Sequence, residues 1–169
     1  MRGIRVESTM TRDVYAVGPD TDLETVGALF VAQHISGAPV IDGKGRAVGM
    51  ISKTDLLAPK PARGGTGGKP FYYRVRDGAI HTIGTPRDGP NTTRAVVGDV
   101  MSPFVFTVGP KAPLIDAMRL MVMDEVHRLL VVEGDRLVGM VTSMDAMRAL
   151  LRWAAAPAGA EPPAEAGKP

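Results

Sequence analysis

Apolar and polar positions follow the same order twice along the 169-residue chain. In each half, a short apolar segment precedes a stripe at helical spacing, two apolar segments joined by a glycine-containing turn, and a second helical stripe. Met10 aligns with Met101 at an offset of 91 residues, and Gly49 aligns with Gly139 at an offset of 90. Repetition at a fixed period predicts one structural unit built twice.

The first half begins with a strand and a helix. Residues 14–17 predict a short strand, which a Gly-Pro pair ends. Thr21 and Glu24 have the spacing of a capping box, and they predict a helix that reaches about His34. The apolar positions at helical spacing are Leu23, Val26, Leu29 and Phe30.

The first half continues with a hairpin and a second helix. Residues 38–41 and 47–51 predict two antiparallel strands, because the segment between them contains turn glycines. The second helix begins near Ser52 and ends by Ala58, since two nearby prolines cannot continue it. The predicted unit is therefore β-α-β-β-α.

The second half repeats this order. Residues 104–108 predict the strand, Pro113 suits the first turn of a helix, and 129–132 with 137–141 predict the hairpin. Residues 143–155 predict a longer closing helix. The predicted buried stripe of the first helix consists of Leu114, Ala117, Met118, Met121 and Val122.

An insert without a counterpart separates the halves. Residues 60–68 form a Gly/Pro-rich linker, and 71–75 with 79–83 predict a β-hairpin with an Asp-Gly turn. Residues 157–169 are rich in Ala, Pro, Gly and Glu, and they predict a disordered tail.

Composition narrows the class of protein. Hydrophobic residues make up 44% of the chain and charged residues 22%, which is typical of soluble globular domains. It has no apolar run of the roughly 20 residues that span a bilayer and no N-terminal signal core. The absence of cysteine excludes disulfides and fits a cytoplasmic location. A net charge of +2 does not by itself indicate nucleic acid.

Both halves carry Met-Thr or Met-Ser near their start, and the pattern Gly, two apolar residues, Ser or Thr, two variable residues, Asp at 49–55 and 139–145. This doubled unit resembles the CBS domain, the cystathionine-β-synthase-type module that occurs as a tandem pair. The resemblance covers about 6–58 and 97–153.

The resemblance implies an α/β (α+β) fold, in which two β-α-β-β-α repeats pack sheet to sheet about a pseudo-twofold axis. The repeats are then 1–58 and 96–156, separated by an insert at 59–95 with its hairpin at 71–83 and followed by the tail at 157–169. It also implies a regulatory module and not an enzyme. Such modules need no cofactor, commonly form homodimers through their helices, and bind AMP, ADP, ATP or S-adenosylmethionine between the repeats. The regulated partner protein is not identified by the sequence.

The resemblance assigns Asp55 and Asp145 to ribose, and Ser52 and Thr142 to phosphate. A carboxylate can accept both hydroxyls of a ribose diol, and a hydroxyl at a helix start can meet an anion. The same residues at the same spacing also form simple helix capping boxes. Both interpretations stay open at this stage.

Further ligand contacts follow from the resemblance. His127 and Arg128 correspond to a pair that contacts nucleotide phosphates, whereas the first repeat has Ser36 and Gly37 there. Lys53 is the basic residue that could compensate. The positions that shape the adenine pocket are Val17, Val108, Pro39 and Leu130.

The sequence is compatible with two other functions. One is a structural interaction module with degenerate clefts, in which the methionines of the second repeat form a dimer surface. The other, which is disfavoured, is nucleic-acid binding by basic and aromatic residues of the insert. Those residues are Lys69, Phe71, Tyr72, Tyr73, Arg74 and Arg76. The Gly-rich stretch 64–70 lacks the residues of a phosphate-binding loop, and the three histidines lack metal-ligand spacing.

Overall fold

The computed structural model of the chain describes residues 3–57, 72–76, 79–83 and 95–156, which form a mixed α/β fold with two sheets. After a 3₁₀ turn at Val6–Ser8 the elements are β1 (Val14–Val17), α1 (Leu23–Ala32), β2 (Gly37–Ile41), β3 (Ala47–Ser52), α2 (Lys53–Leu57), β4 (Tyr72–Arg76), β5 (Ala79–Ile83), α3 (Val97–Val100), β6 (Thr107–Val108), α4 (Leu114–Met123), β7 (Arg128–Glu133), β8 (Arg136–Thr142) and α5 (Ser143–Ala155). The predicted linker at 60–68, the Gly-rich stretch at 64–70, the hairpin turn at 77–78 and the predicted tail at 157–169 lie outside the described residues.

The two halves of the chain build matching sheets. The first sheet has the strand order β3-β2-β1-β4-β5, and the second has the order β6-β7-β8. In both, the first strand runs parallel to the second, which forms an antiparallel hairpin with the third. The register places Gly37 opposite Ser52 and Arg128 opposite Thr142. The predicted β-α-β-β-α order therefore occurs twice.

The predicted insert hairpin is present and belongs to the first sheet. Strand β4 pairs antiparallel with β1, from Val14 opposite Val75 to Val17 opposite Tyr72, and β5 pairs with β4 on its far side. The side chain of Val75 is 0% exposed. The insert is thus an integral part of the first sheet.

The start of each repeat crosses to the other repeat. Thr11 exchanges two backbone hydrogen bonds with Met140 of β8, at 2.8 and 2.9 Å. Ser102, the counterpart of Thr11, exchanges two with Met50 of β3, both at 2.9 Å. These reciprocal bonds tie the repeats together about a pseudo-twofold axis.

The glycine that opens each repeated motif makes room for this crossing. A Cβ on Gly49 would lie 2.7 Å from the Met101 sulfur and 2.8 Å from the Ser102 carbonyl oxygen. A Cβ on Gly139 would lie 2.8 Å from the Thr11 carbonyl oxygen. Contacts this short with backbone require a displacement of the chain, so both positions need glycine for packing.

Two predictions for the first helix need correction. The N-cap of α1 is Asp22, whose carboxylate accepts from the Thr25 N–H at 2.8 Å, one residue later than the predicted cap at Thr21. The Thr21 hydroxyl instead accepts from the Gly18 N–H at 3.1 Å, which holds the preceding turn. The helix ends at Ala32 and not near His34, because His34 has a left-handed φ of 53°.

In the second repeat, three predictions were wrong in detail. Strand β6 contains Thr107 and Val108 alone, and Phe104 is 82% exposed, since only the end of the predicted segment reaches β7. Pro113 is the N-cap of α4 and precedes its first turn. Val122 is 76% exposed, because it follows Met121 by one residue and thus lies about 100° around the helix from the buried stripe.

Replacing either motif glycine with alanine should destabilise the protein through overpacking. We expect Gly49→Ala and Gly139→Ala each to lower the free energy of unfolding by about 1–3 kcal/mol in urea denaturation. Gly43→Ala is the matched control, since a Cβ there meets nothing within 4 Å. An unfolding midpoint of Gly49→Ala equal to that of Gly43→Ala would contradict the close approach of the crossed segment.

The left-handed residue after α1 gives a stabilising substitution. His34 and Ile35 close the helix by donating to the Val31 and Phe30 carbonyls, and glycine adopts this φ without steric cost. His34→Gly should raise the free energy of unfolding by about 1 kcal/mol. Gln33→Gly, with φ at −100°, should lower it instead. Equal changes of the same sign in both variants would refute this explanation.

Candidate ligand site between the repeats

In each repeated motif the final aspartate accepts hydrogen bonds from the hydroxyl residue three positions earlier. Asp55 Oδ2 accepts from both the backbone N–H and the hydroxyl of Ser52, each at 2.7 Å. Asp145 Oδ2 accepts from the Thr142 N–H at 3.0 Å and from its hydroxyl at 2.6 Å. The capping box is confirmed for the second motif, where the Asp145 N–H also donates to the Thr142 hydroxyl at 3.3 Å. In the first motif the carboxylate half of the box is present, and in both motifs these bonds occupy one oxygen of the carboxylate.

The second carboxylate oxygens differ between the repeats. Asp145 Oδ1 accepts from Arg148 at 3.2 Å, and the Asp145 side chain is only 14% exposed. Asp55 Oδ1 has no hydrogen-bond partner among residues 3–57, 72–76, 79–83 and 95–156. Asp55 thus keeps one carboxylate oxygen without a protein donor in the described residues, whereas both oxygens of Asp145 already accept, and Asp55 is the better placed acceptor for a polyhydroxyl ligand.

Arg128 reaches from the second repeat to the first. Its NH2 donates to the Ser36 hydroxyl at 3.0 Å, and a Cβ on Gly37 would lie 2.5 Å from its NH1. Gly37 is the counterpart of Arg128 under the repeat, so its lack of a side chain makes room for the guanidinium. Since Gly37 pairs with Ser52, the arginine head lies at the strand end of the first motif.

Arg128 stays positively charged although its guanidinium is partly buried. Burial lowers the pKa of the Arg128 guanidinium, because water is partly removed from the charged form. An arginine side chain nevertheless stays protonated at neutral pH. Within the described residues the Arg128 guanidinium donates one hydrogen bond, to Ser36, and a half-buried cation of this kind suits an anionic group.

The other predicted site residues lie in several environments. His127 and Lys53 are exposed, and they contribute backbone bonds at the helix starts: the Ser143 N–H donates to His127, and the Lys53 N–H donates to Ser36. Val17 and Val108 pack in the helix-side clusters of their own repeats, so a ligand would meet mainly their backbone. Pro39 is buried in β2.

A third apolar cluster lies between the two sheets. Its buried members come from both repeats and from the insert: Ala16, Ile41, Val75, Leu130 and Leu137. Met50 and Met140, which carry the crossing bonds, pack against it. This cluster joins the repeats into one core and separates the two inter-repeat clefts.

A cavity of about 430 Å³ opens between β3 of the first repeat and β6 of the second. Its wall includes Arg46, whose guanidinium is held by Asp42 at 2.7 Å, and the backbone N–H of Arg46 is the main cause of the lowered pKa of that carboxyl. The lining residues are Arg46, Ala47, Val48, Thr107, Val132, Gly134 and Asp135. None of them was singled out from the sequence, because no motif marks a cleft wall formed by two distant strands.

The described part of the chain has neither a metal-ligand cluster nor a membrane-spanning helix. No group of three or more His, Cys, Asp or Glu side chains there could hold a metal ion. No helix there has both the length and the apolar character needed to cross a membrane.

The sequence pattern of the CBS domain matches residues 6–59 and again 97–152, the two halves that carry the matching sheets. The chain belongs to the CBS-domain family. The resemblance inferred from the repeated motifs is thereby confirmed, as is the paired α/β architecture.

Relatives from several organisms share this family. The chloroplastic CBS domain-containing protein CBSX1 of Arabidopsis thaliana is 32% identical over 146 residues, covering 85% of this chain and 62% of that protein. The chain thus spans about three fifths of its length. MJ1426 of Methanocaldococcus jannaschii is also 32% identical, covering 78% of this chain and 83% of its own. The crystal structure of CBSX2 in complex with AMP has a TM-score of 0.66 at 27% identity, covering 90% of this chain and 99% of its own.

Removing either motif carboxylate should weaken its helix start. Asp55→Ala and Asp145→Ala should each lower the free energy of unfolding by about 1 kcal/mol, because backbone N–H groups lose their acceptor. Asp55→Asn and Asp145→Asn should lose less, since the amide oxygen still accepts. Urea denaturation of the four variants measures this, and unaltered stability of both alanine variants would mean that the capping bonds contribute nothing.

Proposed function

We propose that this chain is a regulatory module, not an enzyme, that binds an adenine nucleotide (AMP, ADP or ATP) between its two CBS repeats and passes its bound state to a partner protein. The observation that carries the proposal is Arg128, which crosses from the second repeat to the strand end of the first motif. There it lies beside Gly37, which pairs with Ser52, and Ser52 in turn is hydrogen-bonded to Asp55, whose Oδ1 is available for a ligand within the described structure.

This arrangement matches the groups of a nucleotide. A forked guanidinium suits a phosphate, and a carboxylate oxygen suits the two hydroxyls of a ribose. Hydrogen bonds to charged groups contribute roughly 1.5–3 kcal/mol each, so three such contacts supply about 5–9 kcal/mol before the cost of association is subtracted. No obligatory cofactor is needed for this role.

The relatives support the choice of ligand class. CBSX2, at 27% identity, has been solved with AMP. The proposal extends that ligand class to this chain, with S-adenosylmethionine as an alternative adenosine ligand. The division into repeats at 1–58 and 96–156, the insert at 59–95 and a cytoplasmic location are part of the same proposal.

A structural role is the second candidate, and exposed apolar side chains favour it. They lie on α4, α5 and the end of α2, and they include Leu57, Val122, Met123, Leu151 and Trp153. Helices with such residues suit a homodimer through the second repeat. Within the insert, Arg76 is exposed, but the other basic and aromatic side chains predicted for nucleic acid lie outside the described set.

Calorimetry with a matched arginine pair tests the nucleotide proposal. Protein freed of carried-over nucleotide is titrated with AMP, ADP, ATP and S-adenosylmethionine. We expect Arg128→Ala to weaken binding of a phosphate-bearing ligand by about tenfold or more, because a charged donor is lost. Arg119→Ala is the control, since Arg119 is exposed on α4 and pairs with Asp116 on the same helix.

Three outcomes separate the two functions. Binding that depends on Arg128 and not on Arg119 supports the nucleotide module. Absence of heat with all four ligands, together with an oligomer whose size no ligand changes, would establish the structural module instead. Binding that Arg128→Ala leaves intact would contradict the assigned phosphate contact.

A further inference from the structure

The insert makes the two inter-repeat clefts unequal. The pairing of Met50 with Ser102 brings β3 alongside the segment that leads to β6, which defines a first cleft. The pairing of Thr11 with Met140 brings β8 alongside the segment that leads to β1, which defines a second cleft. Residues that line one cleft correspond to residues 90 or 91 positions away that line the other. Without the insert, the two clefts would therefore have corresponding walls.

The second cleft is filled by the insert. Strand β4 lies along the outer edge of β1 and also contacts β8, which forms the opposite wall. Val75 of β4 is 0% exposed, and it packs in the cluster that contains Ala16, Ile41 and Leu137. A hydrophobic side chain of this chain therefore occupies the space between β1 and β8.

The corresponding place in the first cleft is open. Under the repeat, Ala16 and Ile41 correspond to Thr107 and Val132, and Leu137 corresponds to Ala47. These three counterparts all line the cavity of about 430 Å³. The position that Val75 fills on one side of the pseudo-twofold axis is thus a cavity on the other side.

The outer edges of β1 and β6, the corresponding strands of the two repeats, also differ. Both edges of β1 are paired, with β2 on one side and β4 on the other. Strand β6 pairs with β7, and in the described part of the chain no strand pairs with its other edge. A free strand edge offers backbone donors and acceptors to a base, and a doubly paired strand does not.

Polar groups favour the first cleft as well. Its motif aspartate, Asp55, keeps Oδ1 for a ligand within the described structure, and Arg128 reaches its strand end. The aspartate of the other motif, Asp145, has Oδ1 engaged by Arg148. The cavity lies at the start of β3 and the carboxylate follows the end of the same strand, so both belong to the cleft that the insert leaves open.

We propose that the β4–β5 hairpin permanently closes the second cleft, so that the chain binds one nucleotide, in the first cleft between β3 and β6. Asp55 and Ser52 of the first repeat and Arg128 of the second repeat then form one composite site. Asp145 serves only as a helix cap. This inference rests on the proposed nucleotide function and adds the site's identity and its stoichiometry.

A matched pair of isosteric substitutions tests the inference. Asp55→Asn and Asp145→Asn both keep an oxygen that can cap the helix, and thermal unfolding checks that both variants fold. Titration with AMP and ATP should give one bound nucleotide per chain. Asp55→Asn should weaken binding tenfold or more, and Asp145→Asn should change it less than twofold.

A photoaffinity probe locates the base independently. Irradiation with 8-azido-ATP should label the peptide that contains β6 and not the peptides that contain β1 or β4. Two nucleotides per chain, an equal loss of binding in Asp145→Asn, or labelling of β1 would each overturn the single-site inference while leaving the nucleotide function in place. Failure of the unaltered protein to bind AMP, ADP, ATP or S-adenosylmethionine would instead overturn the proposed function.

Discussion

The reciprocal crossing of the two repeats is the constraint on which the rest of the structure depends. The segment at Thr11 pairs with Met140, the segment at Ser102 pairs with Met50, and each crossing contributes two backbone hydrogen bonds. Separation of the repeats would exchange these four bonds for bonds to water, at about 0.5–1.5 kcal/mol each, and would expose the apolar cluster between the sheets. The crossing also sets which strands form the two sides of each cleft. The glycine of each motif is explained by this contact and not by a ligand.

On this symmetric scaffold, function depends on departures from symmetry. The second repeat has Arg128 where the first has Gly37. Because Gly37 has no side chain, the Arg128 guanidinium can lie against the first repeat. The insert adds two strands to the first sheet, and Val75 packs on one side of the axis where the other side has a cavity. Under the proposed function, a duplicated unit with two equivalent clefts becomes in this way a module with one nucleotide site, whose walls come from both repeats.

The sequence predicted features whose causes lie within a few residues of one another. Hairpins at the glycine turns, helices at the apolar stripes and the insert hairpin were all recovered, because turn chemistry and periodicity act locally. The predictions failed where the local sequence was compatible with more than one structure. Thr21 and Asp22 can both cap a helix, and the fold uses Asp22 because the Thr21 hydroxyl accepts from Gly18. Phe104 continues an apolar run, but the strand it would extend has β7 beside it only at Thr107 and Val108.

By itself the sequence determined the doubled β-α-β-β-α unit, the family, and the capping motifs that end in Asp55 and Asp145, since each is written in residues close together in the chain or in their repetition. Only the tertiary structure decided that Arg128 meets Ser36, that Val75 lies between the sheets, and which cleft stays open. Those contacts join residues tens of positions apart. Whether they form depends on how strands pair and sheets face each other, which no local pattern specifies.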